Sequence, residues 1–206
     1  MIFISSFTQT KDVEISHYLF PEFTQGAILM NDGMKYEALL NYNSLTEEMI
    51  FEDKGIKMAI AKTDLWLVDT VFIKDRKFIA LNSKFVEILS QSKWDLYAEH
   101  KCKLKDLGKP IGYGSTSKTT AIESYSSFYS GGDLYNLKLP DIYEIEPNTY
   151  YWLKKNGEEN RFTSMSELRK FYKDKKDLFK AYVKKHDIKY DNQESITQLI
   201  EYLESN

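Results

Sequence analysis

Residues 112–119, GYGSTSKT, come within one position of the phosphate-binding loop G-x-x-x-x-G-K-[ST]. In that loop backbone amides cradle phosphates, the lysine reaches the outer phosphates and the hydroxyl holds magnesium. Gly112, Lys118 and Thr119 fall in register, and Ser117 takes the place of the second glycine. The pattern also demands an apolar strand directly before it and a helix directly after it. Gly108 and Pro110 precede it here, and Ser- and Tyr-rich residues follow. The spelling therefore points to a structural or recognition loop rather than to a nucleotide site.

His100 and Cys102 alternate on one predicted strand face with Trp94, Leu96, Ala98 and Leu104. Side chains two apart on a strand sit about 6–7 Å apart, too far for a thiol to hand its proton to an imidazole. On so apolar a face the pair reads as packing rather than as a metal seed or a dyad. Glu47, Glu48, Glu52 and Asp53 gather around one predicted hairpin. Paired acids hydrolyse glycosides, but turns collect acids for solubility and no pair stands out. Residues 154–189 hold twelve Lys or Arg against six Asp or Glu. Interruption by Asp174, Asp177 and Asp187 gives this tract the look of the wet face of amphipathic helices rather than of a site for an anionic partner.

Elsewhere in the chain, exclusions are the main result. A net charge of -3, from 28 basic and 31 acidic residues, supplies no global field for nucleic acid or an anionic membrane. Arginine, the residue suited to bidentate phosphate and base recognition, occurs only at Arg76, Arg161 and Arg169. A single cysteine, Cys102, leaves no internal disulfide and no multi-cysteine metal cluster. Apolar residues at 42% and aromatic residues at 15% are enough to drive folding. No apolar run reaches the roughly 18 residues of a membrane span.

The elements that must position these residues follow from a period of two. Residues 12–107 read as consecutive strands joined by tight turns at Asn31-Asp32-Gly33, Glu52-Asp53-Lys54-Gly55, Lys74-Asp75-Arg76 and Ser90 to Lys93. This predicts an antiparallel β meander that closes into a barrel or forms a strongly curved sheet. In the last of these strands, Asp95, Tyr97, Glu99, Lys101 and Lys103 form a water-facing side. Residues 108–132 lose all periodicity and read as one long Gly/Ser/Tyr-rich loop. Residues 133–163 contribute further strands and a hairpin turning at Asn156-Gly157. Residues 164–206 switch to helix, beginning with a capping box formed by Ser164 and Glu167. The fold class expected is α+β, a mainly antiparallel sheet with a small C-terminal helical subdomain.

Residues 1–11, MIFISSFTQTK, resemble the end of a secretory signal peptide without its basic front. This predicts export, with Met1 an internal methionine; the alternative is an ordinary first strand over Ile2 to Phe7. The stretches LLNYNSLTEEMIFEDKG, VDTVFIKDRKFI, GKPIGYGSTSKTTA and YNLKLPDIYEIEPNTYYWLKKNG together resemble a set of uncharacterised exported proteins of Bacteroidetes. The likeness runs from about Tyr18 to Leu203 and lies in folding residues. It implies periplasmic or outer-membrane placement and carries over no functional residue. The function expected is a binding or structural module, free of catalytic residues, metal and cofactor, whose partner is a protein of the cell envelope. Recognition is assigned to Tyr113, Lys118, Tyr125, Phe128, Tyr129 and Tyr135, rings and a cation in a setting typical of adaptable surfaces. Those rings could equally pin the loop to the sheet. A carrier of a small apolar ligand in a barrel cavity is the alternative, and a carboxylate-dependent hydrolase a third reading.

Overall fold

A computed structural model describes residues 17–106, 109–111, 115–117 and 143–206. Its centre is a ten-stranded antiparallel sheet, and its C-terminal end carries three helices, which makes the protein α+β. Strands β1 (Thr24–Met30), β2 (Lys35–Asn43), β3 (Glu48–Asp53) and β4 (Ile56–Ala59) form one meander. Strands β5 (Val68–Ile73), β6 (Arg76–Leu81), β7 (Lys84–Gln91) and β8 (Trp94–Glu99) form a second.

The simple up-and-down order predicted from sequence breaks between the two meanders. After β4 a 3-10 turn, Lys62–Leu67, carries the chain back so that β5 pairs with β1 rather than with β4. Leu65 on this crossover is buried in the core, which is what draws the connection over the sheet. Beyond β8 the chain makes β9 (Cys102–Asp106), the short pair β10 (Lys109–Ile111) and β11 (Ser115–Ser117), and β12 (Tyr143–Pro147). It then returns as β13 (Tyr150–Lys155) beside β8, with β14 (Glu158–Phe162) at the edge. β9 and β12 pair in a small sheet of their own.

The turns obey their residues. Gly33, Lys54, Gly55, Lys74, Asn156 and Gly157 all take positive φ, as tight hairpins require. The barrel alternative is overturned: β14 and β4 stand at opposite ends of the hydrogen-bonded order, so the sheet is open. It is nevertheless strongly coiled. β3 and β7 have four strands between them in that order, yet their backbones approach to within 8 Å of one another. Register shifts at Leu29/Met30 and Ile88/Ser90 sharpen the twist.

Gly26 lets β1 pack closely between its neighbours. A Cβ there would stand 2.4 Å from the Phe72 carbonyl oxygen and 2.8 Å from Leu40 Cδ1, and the first of these is backbone that cannot swing away. Gly26→Ala is therefore expected to destabilise the protein by about 2 kcal/mol, the cost of overpacking a fitted core. Chemical denaturation at neutral pH measures it; an unchanged midpoint would show that the coil can open at this strand.

Two apolar clusters line the same face of the sheet. Inside the coil, Ile28, Leu40, Tyr42, Met49, Val71, Ile73, Phe78 and Phe85 meet Phe20 and Leu65. Further along, Leu96, Ala98, Tyr151, Leu153 and Phe162 meet the helices α1 (Met165–Phe171), α2 (Lys176–His186) and α3 (Gln193–Ser205). Leu168, Phe179, Ile196, Leu199, Ile200 and Leu203 supply the helical side. Helix α1 starts as expected, with the Glu167 amide donating to Ser164 Oγ at 3.2 Å. The Glu167 carboxylate, however, accepts from the amide and hydroxyl of Thr163 at 2.6 and 2.8 Å, one residue before the cap. Helix α3 is capped by Asn192, whose side-chain oxygen accepts from the Ser195 amide at 2.9 Å.

Candidate functional site

At the boundary between the two clusters the sheet face turns polar. Glu87 lies two residues after Phe85 and directly opposite Phe78 and Ala98, so strand alternation points it inward. A carboxylate in that position must be paired or it would not stay ionised. Arg76, two residues before Phe78 on the adjacent strand, meets it with a two-pronged hydrogen bond: Nε to Oε1 and Nη2 to Oε2, each 2.5 Å. The guanidinium lies against the rings of Phe20 at 5.1 Å and Phe78 at 5.5 Å, which themselves meet edge-on at 6.4 Å. Asn41 fixes Phe20 in turn, accepting from its amide at 3.1 Å and donating to its carbonyl at 3.0 Å.

His100 completes the group. The chain leaves the main sheet at His100 and Lys101, between β8 and β9, and the imidazole sits with Nε2 2.7 Å from Glu87 Oε2. The same Nε2 is 2.9 Å from Arg76 Nη2, a group that only donates, whereas the carboxylate only accepts; with the shorter contact going to Glu87, we assign the proton to Nε2, which donates it to the carboxylate. Burial lowers the His100 pKa, with the Arg76 charge adding to that push, and it outweighs the opposing pull of Glu87. Arg76 already balances Glu87, so a protonated ring would be an unpaired charge inside the core. Burial alone would raise Glu87; the hydrogen bonds from His100 and Arg76 reverse this and hold its pKa below the usual carboxylate value.

A second buried carboxylate, Glu99 at the end of β8, lies on the face opposite Leu96 and Ala98. Glu99 Oε1 pairs with Lys84 and Lys101, each at 3.0 Å, while Oε2 accepts from the Trp152 indole at 2.9 Å. Both lysines also reach Glu47, at 2.6 and 2.9 Å. This face was expected to meet water, but Tyr97 and Glu99 are both buried. The lysine stems and Trp152 close over it, so alternation named the face correctly and mistook what covers it.

A pocket of about 320 Å³ opens beside His100, lined among others by Arg76, Lys101, Cys102, Asp191 and Gln193. The Cys102 thiol facing it has its pKa pushed up to about 12, by burial and then by the Glu47 charge, so it is a packing group and not a nucleophile. Among the described residues no group of three or more His, Cys, Asp or Glu could hold a metal ion.

The predicted recognition residues Tyr113, Lys118, Tyr125, Phe128, Tyr129 and Tyr135 lie outside the described residues. The start of their segment is described in part: β10 and β11 pair antiparallel, Pro110 opposite Thr116, so Ser115–Ser117 is extended. A phosphate-binding loop would instead wrap there and enter a helix at the lysine. The four hairpin acids do not converge either. Glu47 joins the lysine network, and Glu48 and Asp53 begin and end a strand about 17 Å long. Sequence reasoning placed His100 correctly on the inward face and missed Arg76 and Glu87. The available signal was Glu87 itself, an acid on the apolar side of the alternation Phe85, Glu87, Leu89.

No family model matches the chain, and the searches found no similar curated protein and no similar solved structure.

Proposed function

We propose that the chain is an exported, non-catalytic binding module of the cell envelope whose partner is a protein. The observation that supports this reading is that, among the described residues, the ionisable groups buried at the polar boundary close on one another. Glu87, Glu99 and His100 each have fixed partners, and Cys102 is held as a neutral thiol, so none of them is poised to take or give a proton. Export rests on the signal-like residues 1–11 and on the resemblance to exported Bacteroidetes proteins. The carrier alternative called for a closed barrel; the sheet is open, and its concave side is occupied by the fully buried Tyr42, Phe78, Leu40 and Met49.

Large apolar groups remain outside. Trp66 is 73% exposed and Ile56 63%, and Met34 and Tyr36 are also solvent-facing. Asn31 holds the Trp66 backbone against the β1–β2 turn through its amide side chain at 2.6 Å. Exposed Trp, Tyr and Met are the residue types that anchor protein interfaces. Affinity capture from the native envelope tests the reading with three baits: the full chain, a chain lacking 112–132, and Trp66→Ala. The full chain is expected to retain one protein that at least one altered bait loses, while Trp66→Ala shifts stability by less than about 0.5 kcal/mol. An identical set on all three baits, or hydrolysis of an ester or glycoside abolished by His100→Gln, would overturn it.

A further inference from the structure

The three-dimensional arrangement of the helices sorts the mixed charges of the C-terminal tract by sign. Arg169 and Lys170 at the end of α1, Lys173 in the 3-10 turn Lys173–Lys175, and Lys176 and Lys180 on α2 together line one concavity of about 530 Å³. Helical spacing relates only Lys176 and Lys180, one turn apart on α2; the break at Tyr172 and the turn after it bring the other three beside them. All five side chains are exposed, and none forms an ion pair among the described residues.

Of the nearby acids, Asp177 on the first turn of α2 is exposed and stands outside the lining of the concavity, and the other two are engaged elsewhere. Asp174 lines a separate pocket with Tyr172 and Glu204 on the α3 side. Glu167 is occupied by the Thr163 amide and hydroxyl, although it is near enough to Lys170 to feel its charge. The protein as a whole is acidic, so this face is a local inversion of its field.

Directly beside the cations runs an apolar groove of about 340 Å³. Met165, Phe179 and Val183 line it, and Arg169 and Lys180 border both spaces, with Lys184 one turn further on. A partner must therefore present several negative charges next to methylene groups. From this juxtaposition we propose that this face docks on an anionic phospholipid bilayer, phosphates against the five cations and the upper acyl region against the groove.

Lysines are compact point charges, suited to a field of headgroup phosphates rather than to one fixed, forked acceptor. Clusters of four to eight such residues on an amphipathic helix suffice for this kind of attachment, each adding about fivefold to partitioning. A nucleic acid fits less well. The lining contains one arginine and no aromatic ring on which an exposed base could stack. This surface is separate from the Trp66 end of the sheet and stands without the protein-partner reading.

The test is co-sedimentation of the full chain with vesicles of phosphatidylcholine alone and of phosphatidylcholine mixed with phosphatidylglycerol. Binding is expected only to the mixed vesicles, with release by added salt. The triple variant Lys173→Glu, Lys176→Glu, Lys180→Glu is expected to lower partitioning by about 100-fold or more. The matched reversal Lys62→Glu, Lys77→Glu, Lys103→Glu leaves it within about twofold, and both variants alter only exposed side chains and should keep the wild-type circular dichroism. Equal binding to neutral vesicles, equal loss in both triple variants, or failure to bind mixed vesicles overturns the proposal. So does displacement by millimolar inorganic phosphate at constant ionic strength, or a DNA duplex bound more tightly than the vesicles.

Discussion

Glu87→Ala is expected to lower the melting temperature by about 6–12 °C. The carboxylate side chain is 6% exposed and receives three hydrogen bonds, two from Arg76 and one from His100. Deleting it leaves a guanidinium beside two phenyl rings without its counter-charge and an imidazole N–H without an acceptor. Removing one partner of a buried pair costs about 3 kcal/mol or more, and in a domain of this size each kcal/mol moves the midpoint by about 2–4 °C. Glu37→Ala is the matched control. Its pair with Lys35 spans 3.5 Å with both side chains more than half exposed, and its loss should pass almost unnoticed. Equal shifts for the two variants would show that the Arg76–Glu87–His100 group does not hold the two clusters together.

The same group dictates the response to acid. His100 has a folded pKa below its ordinary 6.5, as does His17, lowered by burial and then by Lys57. Between those folded values and 6.5 the unfolded chain binds protons that the native protein refuses, so stability falls as the pH drops through 6.5. Glu87 and Glu99 have folded values below 4.5, so a second loss follows as the unfolded carboxylates protonate around 4.5 and the native ones do so later. Melting curves at successive pH values should therefore be flat above about 6.5 and decline in two stages. His100→Gln removes its share of the upper stage and leaves that of His17. A midpoint that rises between pH 7 and 5.5 would contradict the assignment of a neutral, buried ring.

How much of this was legible beforehand depends on the range of the interaction. Hairpins such as Lys54-Gly55 and Asn156-Gly157 are set by the backbone freedom of their own residues, and they stand where the sequence places them. The Ser164 and Asn192 caps are equally local. The pairing of β5 with β1 is not local, because it depends on Leu65 reaching a core built from strands on both sides. Openness of the sheet is decided between β3 and β7, where approach stops short of pairing, and no alternation pattern records that distance. The site shows the same division. An inward His100 could be read by carrying the alternation of β8 one residue past its end, but its partners come from β6 and β7, and only Glu87's breach of the apolar period marked them. The basic face escaped because a count along the chain averages signs that the helices separate by azimuth.

Phe162→Ala is expected to be the other severe substitution, at about 3–5 kcal/mol. The ring is fully buried, stacked on Tyr151 at 5.2 Å and met edge-on by Phe171 and Tyr190 at 6.1 and 6.4 Å. It belongs to β14, an edge strand, which among the described residues pairs with the sheet only through β13. Strand pairing on one side gives an edge strand little of its own stability, so its hold on the fold must come from this ring. The segment between α2 and α3 is fastened beside the ring: the Tyr190 hydroxyl donates to the Thr149 carbonyl at 2.7 Å with the Phe162 carbonyl 3.2 Å away, and the Tyr151 hydroxyl donates to the Tyr190 carbonyl at 3.2 Å. An alanine leaves a cavity bounded by three aromatic rings too rigid to collapse into it, which places the cost at the upper end of the range. Phe162→Leu keeps most of the volume and should lose less than half as much. Hydrogen exchange distinguishes the proposed coupling from a uniform weakening. The amides of α1–α3, β13 and β14 should lose protection together, while those of β1–β3 and β5, in the other cluster, should stay closer to the wild type. Even loss of protection across both groups would mean that the two clusters unfold as one unit and that the polar boundary at Glu87 does not separate them.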